Sequence, residues 1–385
     1  MKVGLGLYRE SLTRENFLFA KQAGATHIVA HLTNYFADKN PSLSRGSDLD
    51  GWGDCSNDKP WTYEQLADLV KFARANDLEI AALENVSPRF WSDILLDGPE
   101  KATQMAGLKC LVRDMGKAGI PCLGYNFSIA GVWGWTRDRF ARGEALSVGF
   151  DLAKIDSAAP IPDGVVWNMR YRKGRAGAKP VQVSDTELWQ RLAWFLKELV
   201  PVAEEAGVML AAHPDDPPVN ALRGTARLVN QPDKYDKLFS IVESPASGAE
   251  LCLGTVAEMS TGDVYERVRS FARRGKIGYI HFRNVRGKVP VYYETFIDDG
   301  DIDMAEIVRI LRDEKYMGVM IPDHTPEMEC PSPWHAGKAY ALGYMRALIK
   351  NADALGLSKT ARRDAAAAAS KAPPSESARS PHMSS

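Results

Sequence analysis

Short apolar runs alternate along this chain with longer stretches of helical spacing. Residues 3–7 predict a first strand, and residues 12–23 a helix stopped by Gly24. Residues 26–30 predict a second strand that delivers His31 at its end. The helix expected over 62–75 opens on Thr62, with Gln65 placed for a capping box. A third strand over 78–83 runs into Glu84. A helix over 99–118 is closed by Gly119, and a fourth strand over 121–125 runs into Asn126. After an interruption, Ser184 and Glu187 make a second capping-box pattern for a helix over 184–206. The fifth strand, 209–212, is entered through Gly207 and meets His213-Pro-Asp-Asp-Pro-Pro218, where three prolines forbid further ladder bonding. A sixth strand over 249–252 ends in Cys252, a seventh over 277–280 in His281, and an eighth over 319–321 in Pro322 and Asp323. Helices are expected near 232–242, 263–273, 304–313 and 335–355, the third after a long loop over 283–300. Eight strands alternating with helices predict a parallel (β/α)8 TIM barrel, one domain spanning 1–355.

Three stretches depart from that rhythm. Residues 33–60 are rich in Gly, Asn, Asp and Ser and predict a long loop. Residues 127–183 carry Trp133, Trp135, Trp167 and the basic run Arg170-Tyr-Arg-Lys-Gly-Arg175, and predict an elaborated loop or small subdomain after the fourth strand. The basic run itself reads most simply as solvated surface. From residue 356 onwards the composition turns to Ala, Ser, Lys, Arg and Pro, which predicts a disordered tail over 356–385.

Composition narrows the function. A net charge of −1 gives no reason to expect nucleic acid or an anionic membrane as partner. No stretch has the length and apolarity of a membrane span, and the first residues do not form a signal peptide. The five cysteines show no paired spacing, which suits a reducing compartment and predicts a cytoplasmic protein.

In a barrel of this kind chemistry sits at the C-terminal strand ends. Here those ends supply His31, Glu84, Asn126, His213, Cys252, His281 and Asp323. Each has a plain alternative: Cys252 as a small buried hydrophobe, His281 as a satisfied core histidine, Asp323 as a helix cap. Four of them lie on four consecutive strands, and together His213, Cys252, His281 and Asp323 form a donor set for one divalent transition ion. His324 is placed for proton transfer or for supporting the metal site. Arg283 is placed to clamp a substrate carboxylate. Asn126, Glu84 and Trp135 complete the expected substrate contacts.

The strings Tyr125-Asn-Phe127, Trp135-Thr-Arg137, His213-Pro-Asp-Asp-Pro-Pro218, His281-Phe-Arg-Asn284, Asp299-Gly-Asp-Ile-Asp-Met304 and Pro322-Asp-His324 resemble the mannonate dehydratase family, in the family's order and over about residues 1–355. The resemblance implies a xylose-isomerase-like barrel that removes water from D-mannonate to give 2-keto-3-deoxy-D-gluconate in carbohydrate catabolism. It implies one Mn²⁺ or Fe²⁺ held by His213, Cys252, His281 and Asp323, with a catalytic histidine at His324. The partner so implied is a small sugar acid; the sequence leaves self-association into a homo-oligomer open. One departure stands out. Better-known members place a catalytic tyrosine in the loop after the strand-eight histidine, whereas Thr325-Pro-Glu-Met-Glu-Cys-Pro-Ser-Pro-Trp-His335 has none. Two rival expectations are a metal-dependent sugar isomerase or epimerase on the same barrel, and a sugar-acid-binding protein without catalysis.

Overall fold

The structure, a computed structural model, describes residues 1–35 and 53–371, so much of the loop expected over 33–60 lies outside the described residues. Among the described residues eight parallel strands close into a barrel: β1 (Lys2–Leu7), β2 (His27–His31), β3 (Glu79–Glu84), β4 (Cys122–Tyr125), β5 (Met209–Ala212), β6 (Ser247–Cys252), β7 (Ile277–His281) and β8 (Val319–Ile321). Each strand pairs with its neighbours in chain order, and β8 returns to β1. This is the barrel that the alternation of strands and helices predicts.

Capping fixes where the surrounding helices begin. Thr62 and Gln65 form the expected capping box at the helix Tyr63–Arg74, as do Ser184 and Glu187 at the helix Asp185–Ala206. Each box satisfies two backbone donors that have no partner inside the helix. Gly119 closes the helix Lys101–Ala118 at φ +80°, a conformation that costs glycine little. The helix Met304–Asp313 turns Met304, Ile307, Val308, Ile310 and Leu311 inward, and Asp303 accepts from the backbone of Ala305 and Glu306 at its start. Most of the core lies between such helix faces and the outside of the barrel. The barrel interior is filled by a smaller set that includes Val29, Ala82, Ala211, Tyr279 and Ile321. The last helix, Pro333–Lys371, continues past its expected end at residue 355 into an alanine-rich stretch.

The stretch 127–183 is more ordered than its composition suggests. Its strands Thr136–Ala141 and Ala145–Asp151 join Val285–Lys288 and Val291–Glu294 in one antiparallel sheet. The latter pair occupies the region after β7, where the sequence predicts only a long loop. Val132, Trp135, Val148, Phe150 and Tyr292 make a small core for this sheet at the barrel mouth. The pairing joins strands far apart in sequence, and of the four only Ala145–Asp151 carries an alternating run, Leu146, Val148 and Phe150. Of the basic run, Arg172 and Arg175 both pair with Asp163, at 2.6 and 3.5 Å, on partly exposed ground.

Candidate active site at the C-terminal end of the barrel

Strand register sets the heights of the donor residues. Cys252 is level with His281, and His281 with Ile321, two residues before Asp323. His31 is level with Glu84, and Glu84 with Gly124. His213 continues the ladder for one more bond, its N–H donating to the Tyr125 carbonyl at 2.8 Å. Tyr235 reinforces the turn by donating to the Ala212 carbonyl. Asp323 is held from behind by Lys338, whose ammonium donates to the carbonyls of Pro322 and Asp323.

Apart from the fully buried Cys252, the strand-end residues line one cleft. His31, Glu84, Asn126, Trp135, His213, His281, Asp323 and His324 all face it, together with Tyr8 and Glu250. Ligand atoms of His213, Cys252 and His281 lie within 4.8 Å of one another. Asp323 stands at the edge of this trio, its Oδ2 3.3 Å from His281 Nδ1. The donor chemistry fits a transition ion: two imidazoles, a sulfur and an adjoining carboxylate. His281 Nδ1 is buried without a hydrogen-bond partner, as an imidazole nitrogen reserved for a ligand bond would be.

The electrostatics favour the ligand form of the sulfur. Burial opposes charge on Cys252, but Arg283 and the two imidazoles outweigh it and hold the thiol well below its usual range. Burial likewise disfavours charge on His213, yet the Cys252 sulfur and Glu250 push it up to about 9. Burial disfavours ionising Glu84 too; His31 and His281 prevail and bring it down to about 2.

His324 stands beside the trio. Its Nδ1 lies 2.7 Å from Glu294 Oε1 and its Nε2 3.6 Å from Asp323 Oδ1. Trp135 packs edge-on against it at 5.3 Å and donates its indole N–H to Asp216 at 3.1 Å. Asn126 turns its amide nitrogen to the Pro214 carbonyl at 3.4 Å.

Two expected substrate contacts have other surroundings. Arg283, expected to clamp a substrate carboxylate, is absent from the cleft wall and 2% exposed. Its guanidinium donates to Glu294, to Asp216 at 2.7 Å, to Thr255 at 2.8 Å and to the Cys252 sulfur at 3.3 Å, with Glu258 at 3.3 Å. Its terminal nitrogens are thus taken by the protein's own groups; only Nε, 3.8 Å from Asp323 Oδ2, is without a hydrogen-bond partner. Glu84 does face the cleft, but its carboxylate is engaged by Tyr279 at 3.1 Å and by His281 at 3.2 Å.

Three site residues escaped the sequence reading. Glu250 lies two positions before Cys252 on β6, so strand alternation alone places both on one face. Asp216 sits inside the His213–Pro218 string, where nothing distinguishes it from its neighbour Asp215. Glu294 comes from the mouth sheet and left no signal, because its region reads as a loop.

The chain matches the family model described as D-mannonate dehydratase (UxuA) over residues 20–358. It belongs to the mannonate dehydratase family. A mannonate dehydratase of Streptococcus suis strain 05ZYH33 is 31% identical over 276 residues, covering 69% of this chain and 74% of that protein. One of Geobacillus thermodenitrificans is 28% identical over 287 residues, covering 69% and 75%. The crystal structure of a mannonate dehydratase from Streptococcus suis serotype 2 superposes with a TM-score of 0.73 at 25% identity, covering 92% of this chain and 95% of that one. A D-psicose 3-epimerase from Clostridium cellulolyticum H10 shares the barrel fold, with a TM-score of 0.56 at 14% identity over 91% and 99% of the two chains. Among the described residues, no helix of this mannonate dehydratase family member is long and apolar enough to cross a membrane.

Proposed function

We propose that this chain is a hydro-lyase that removes water from D-mannonate to give 2-keto-3-deoxy-D-gluconate. The observation that carries the reading is the His213–Cys252–His281 donor trio: His213 and His281 line a cleft that also holds His324, and the buried Cys252 sulfur lies within 4.8 Å of both. His213, Cys252, His281 and Asp323 would hold one divalent transition ion, with Mn²⁺ and Fe²⁺ the first to test. Such an ion supplies Lewis acidity toward a substrate oxygen, which stabilises the charge that develops as the C2 proton leaves.

The rest falls to the protein. The reaction breaks C2–H and C3–O, releases water, and leaves an enol that becomes the 2-keto product. The elimination moves two protons, one from C2 and one to the departing hydroxyl, and ketonisation then takes the enol O–H proton and adds one at C3. His324 moves one of the first two: Glu294 fixes its ring at Nδ1, and Nε2 is left for the substrate. Trp135 covers the same ring and limits water at the reacting carbons. Asn126 Oδ1, buried without a partner in the cleft wall, is placed to accept from a substrate hydroxyl. The soft Cys252 donor favours this reading over an isomerase or epimerase, whose carboxylate-rich kind of site is approached here by the second donor group, Glu84, Glu250 and His281.

Purified protein with Mn²⁺ or Fe²⁺ should convert D-mannonate to a 2-keto-3-deoxy acid, and a chelator should stop it. Epimerised or isomerised sugar as the product, with no keto-deoxy acid, would overturn the assignment.

A further inference from the structure

A neutral imidazole that binds a metal carries its one proton on the other nitrogen, and the acceptor facing that nitrogen decides which is which. The two histidines of the trio meet opposite acceptors. His213 Nδ1 lies 2.6 Å from the Pro214 carbonyl oxygen, which only accepts, and 3.5 Å from the Asn126 amide nitrogen; the far shorter contact places the proton on Nδ1 and leaves Nε2 its lone pair. His281 is the reverse. Its Nε2 lies 3.0 Å from Glu250 Oε1 and 3.2 Å from Glu84 Oε2. Its Nδ1 has no hydrogen-bond partner and points toward Asp323 Oδ2, another member of the donor set, at 3.3 Å.

The pair of carboxyls under His281 is a built arrangement. Glu250 is 1% exposed and reaches across the barrel from β6, while Glu84 comes from β3 and accepts from Tyr279. The bare backbone of Gly124 on β4 leaves room for Glu250 and Tyr279 there. A Cβ there would stand 2.4 Å from Glu250 Oε2 and 2.2 Å from the Tyr279 hydroxyl oxygen, closer than real Cβ contacts allow.

We infer that the ion is held through opposite nitrogens of its two histidines, Nε2 of His213 and Nδ1 of His281, and that Glu250 is the positioning residue which, with Glu84, fixes the second. This rests on the metal reading given above and adds to it which atoms bind and why. Strand β6 then serves the site twice, with Cys252 as a ligand and Glu250 as the holder of a neighbouring ligand.

The direct test is a long-range ¹H–¹⁵N correlation spectrum of ¹⁵N-histidine-labelled protein loaded with Zn²⁺, a diamagnetic probe. His213 should carry its proton on Nδ1 and His281 on Nε2. A spectrum with His281 protonated on Nδ1 overturns the inference while leaving the metal site standing. If neither histidine responds to Zn²⁺, the metal reading fails and takes the inference with it. For Glu250, chelator competition should show that Glu250→Leu weakens Zn²⁺ binding about 10–100-fold. Glu250→Gln should lose less, because its amide oxygen still accepts from Nε2–H. Unchanged Zn²⁺ affinity in a folded Glu250→Leu protein would remove Glu250 from the role.

Discussion

At the barrel floor, His213, Cys252, His281 and Asp323 each stand at the end of a barrel strand or within two residues of it, and the parallel register sets their heights. At the mouth, Trp135, Arg137, Glu294 and Glu327 come from loops after three different strands, brought together by an antiparallel sheet and a bridge between Leu146 and Glu327. The two arginines show what this difference means. Arg283, rooted just past β7, is sealed among carboxylates. Arg137, on the mouth sheet, is partly exposed, pairs with Glu327, and lines the compartment that adjoins the cleft beside His324. The cation of the floor is therefore enclosed by its own protein's carboxylates, while that of the mouth is paired once and partly exposed.

The largest effect is expected where floor and mouth meet. His324→Ala should lower kcat by about 10²–10⁴-fold, typical of a lost general acid or base, while metal content stays unchanged. Metal analysis of the variant beside its kinetics checks both halves. Loss of the ion together with activity would make His324 part of the floor instead.

Arg283→Leu is expected to cost about 3–5 kcal/mol in urea unfolding, because it strands buried carboxylates without their cation. Were stability unchanged and only KM for D-mannonate raised, Arg283 would after all belong to substrate recognition. Cys252→Ser should still fold but lose affinity for the ion. It should also abolish the sulfur-to-cobalt charge-transfer absorption expected of the Co²⁺-loaded wild type, since a hydroxyl is a harder and weaker donor than a thiolate. An unaltered Co²⁺ spectrum would take the sulfur out of the ligand set.

The smallest effect sharpens the contrast between the arginines. Arg137→Ala should change stability by less than about 1 kcal/mol, as partly exposed ion pairs do. It should act mainly on KM, which steady-state kinetics reads directly. A loss of stability as large as that of Arg283→Leu would erase the distinction between floor and mouth.

The floor was legible in the sequence because a barrel converts linear order into position. Once strand ends are located, His213, Cys252 and His281 must come near one another, and they do. Glu250 was equally legible by alternation along β6 and was passed over because Cys252 drew attention to the strand end. The charge state of Arg283 was not legible. Its partners Asp216, Glu258 and Glu294 are scattered over the chain, and nothing local says whether an arginine near a strand end meets a substrate or its own protein. Glu294 and the mouth sheet stayed hidden for a related reason: the pairing of residues 145–151 with 291–294 is long-range, and the alternation of Leu146, Val148 and Phe150 does not name the partner strand.

That pairing has a consequence for anyone who would redesign the enzyme. The strands Ala145–Asp151 and Val291–Glu294 share one hydrogen-bonded ladder, with Val291 opposite Asp151 and Tyr293 opposite Gly149. The loops after β4 and β7 are thus a single inheritable module. Grafting either one alone from a relative would leave the other with an open strand edge and a displaced Glu294, so substrate range should be engineered by exchanging both together.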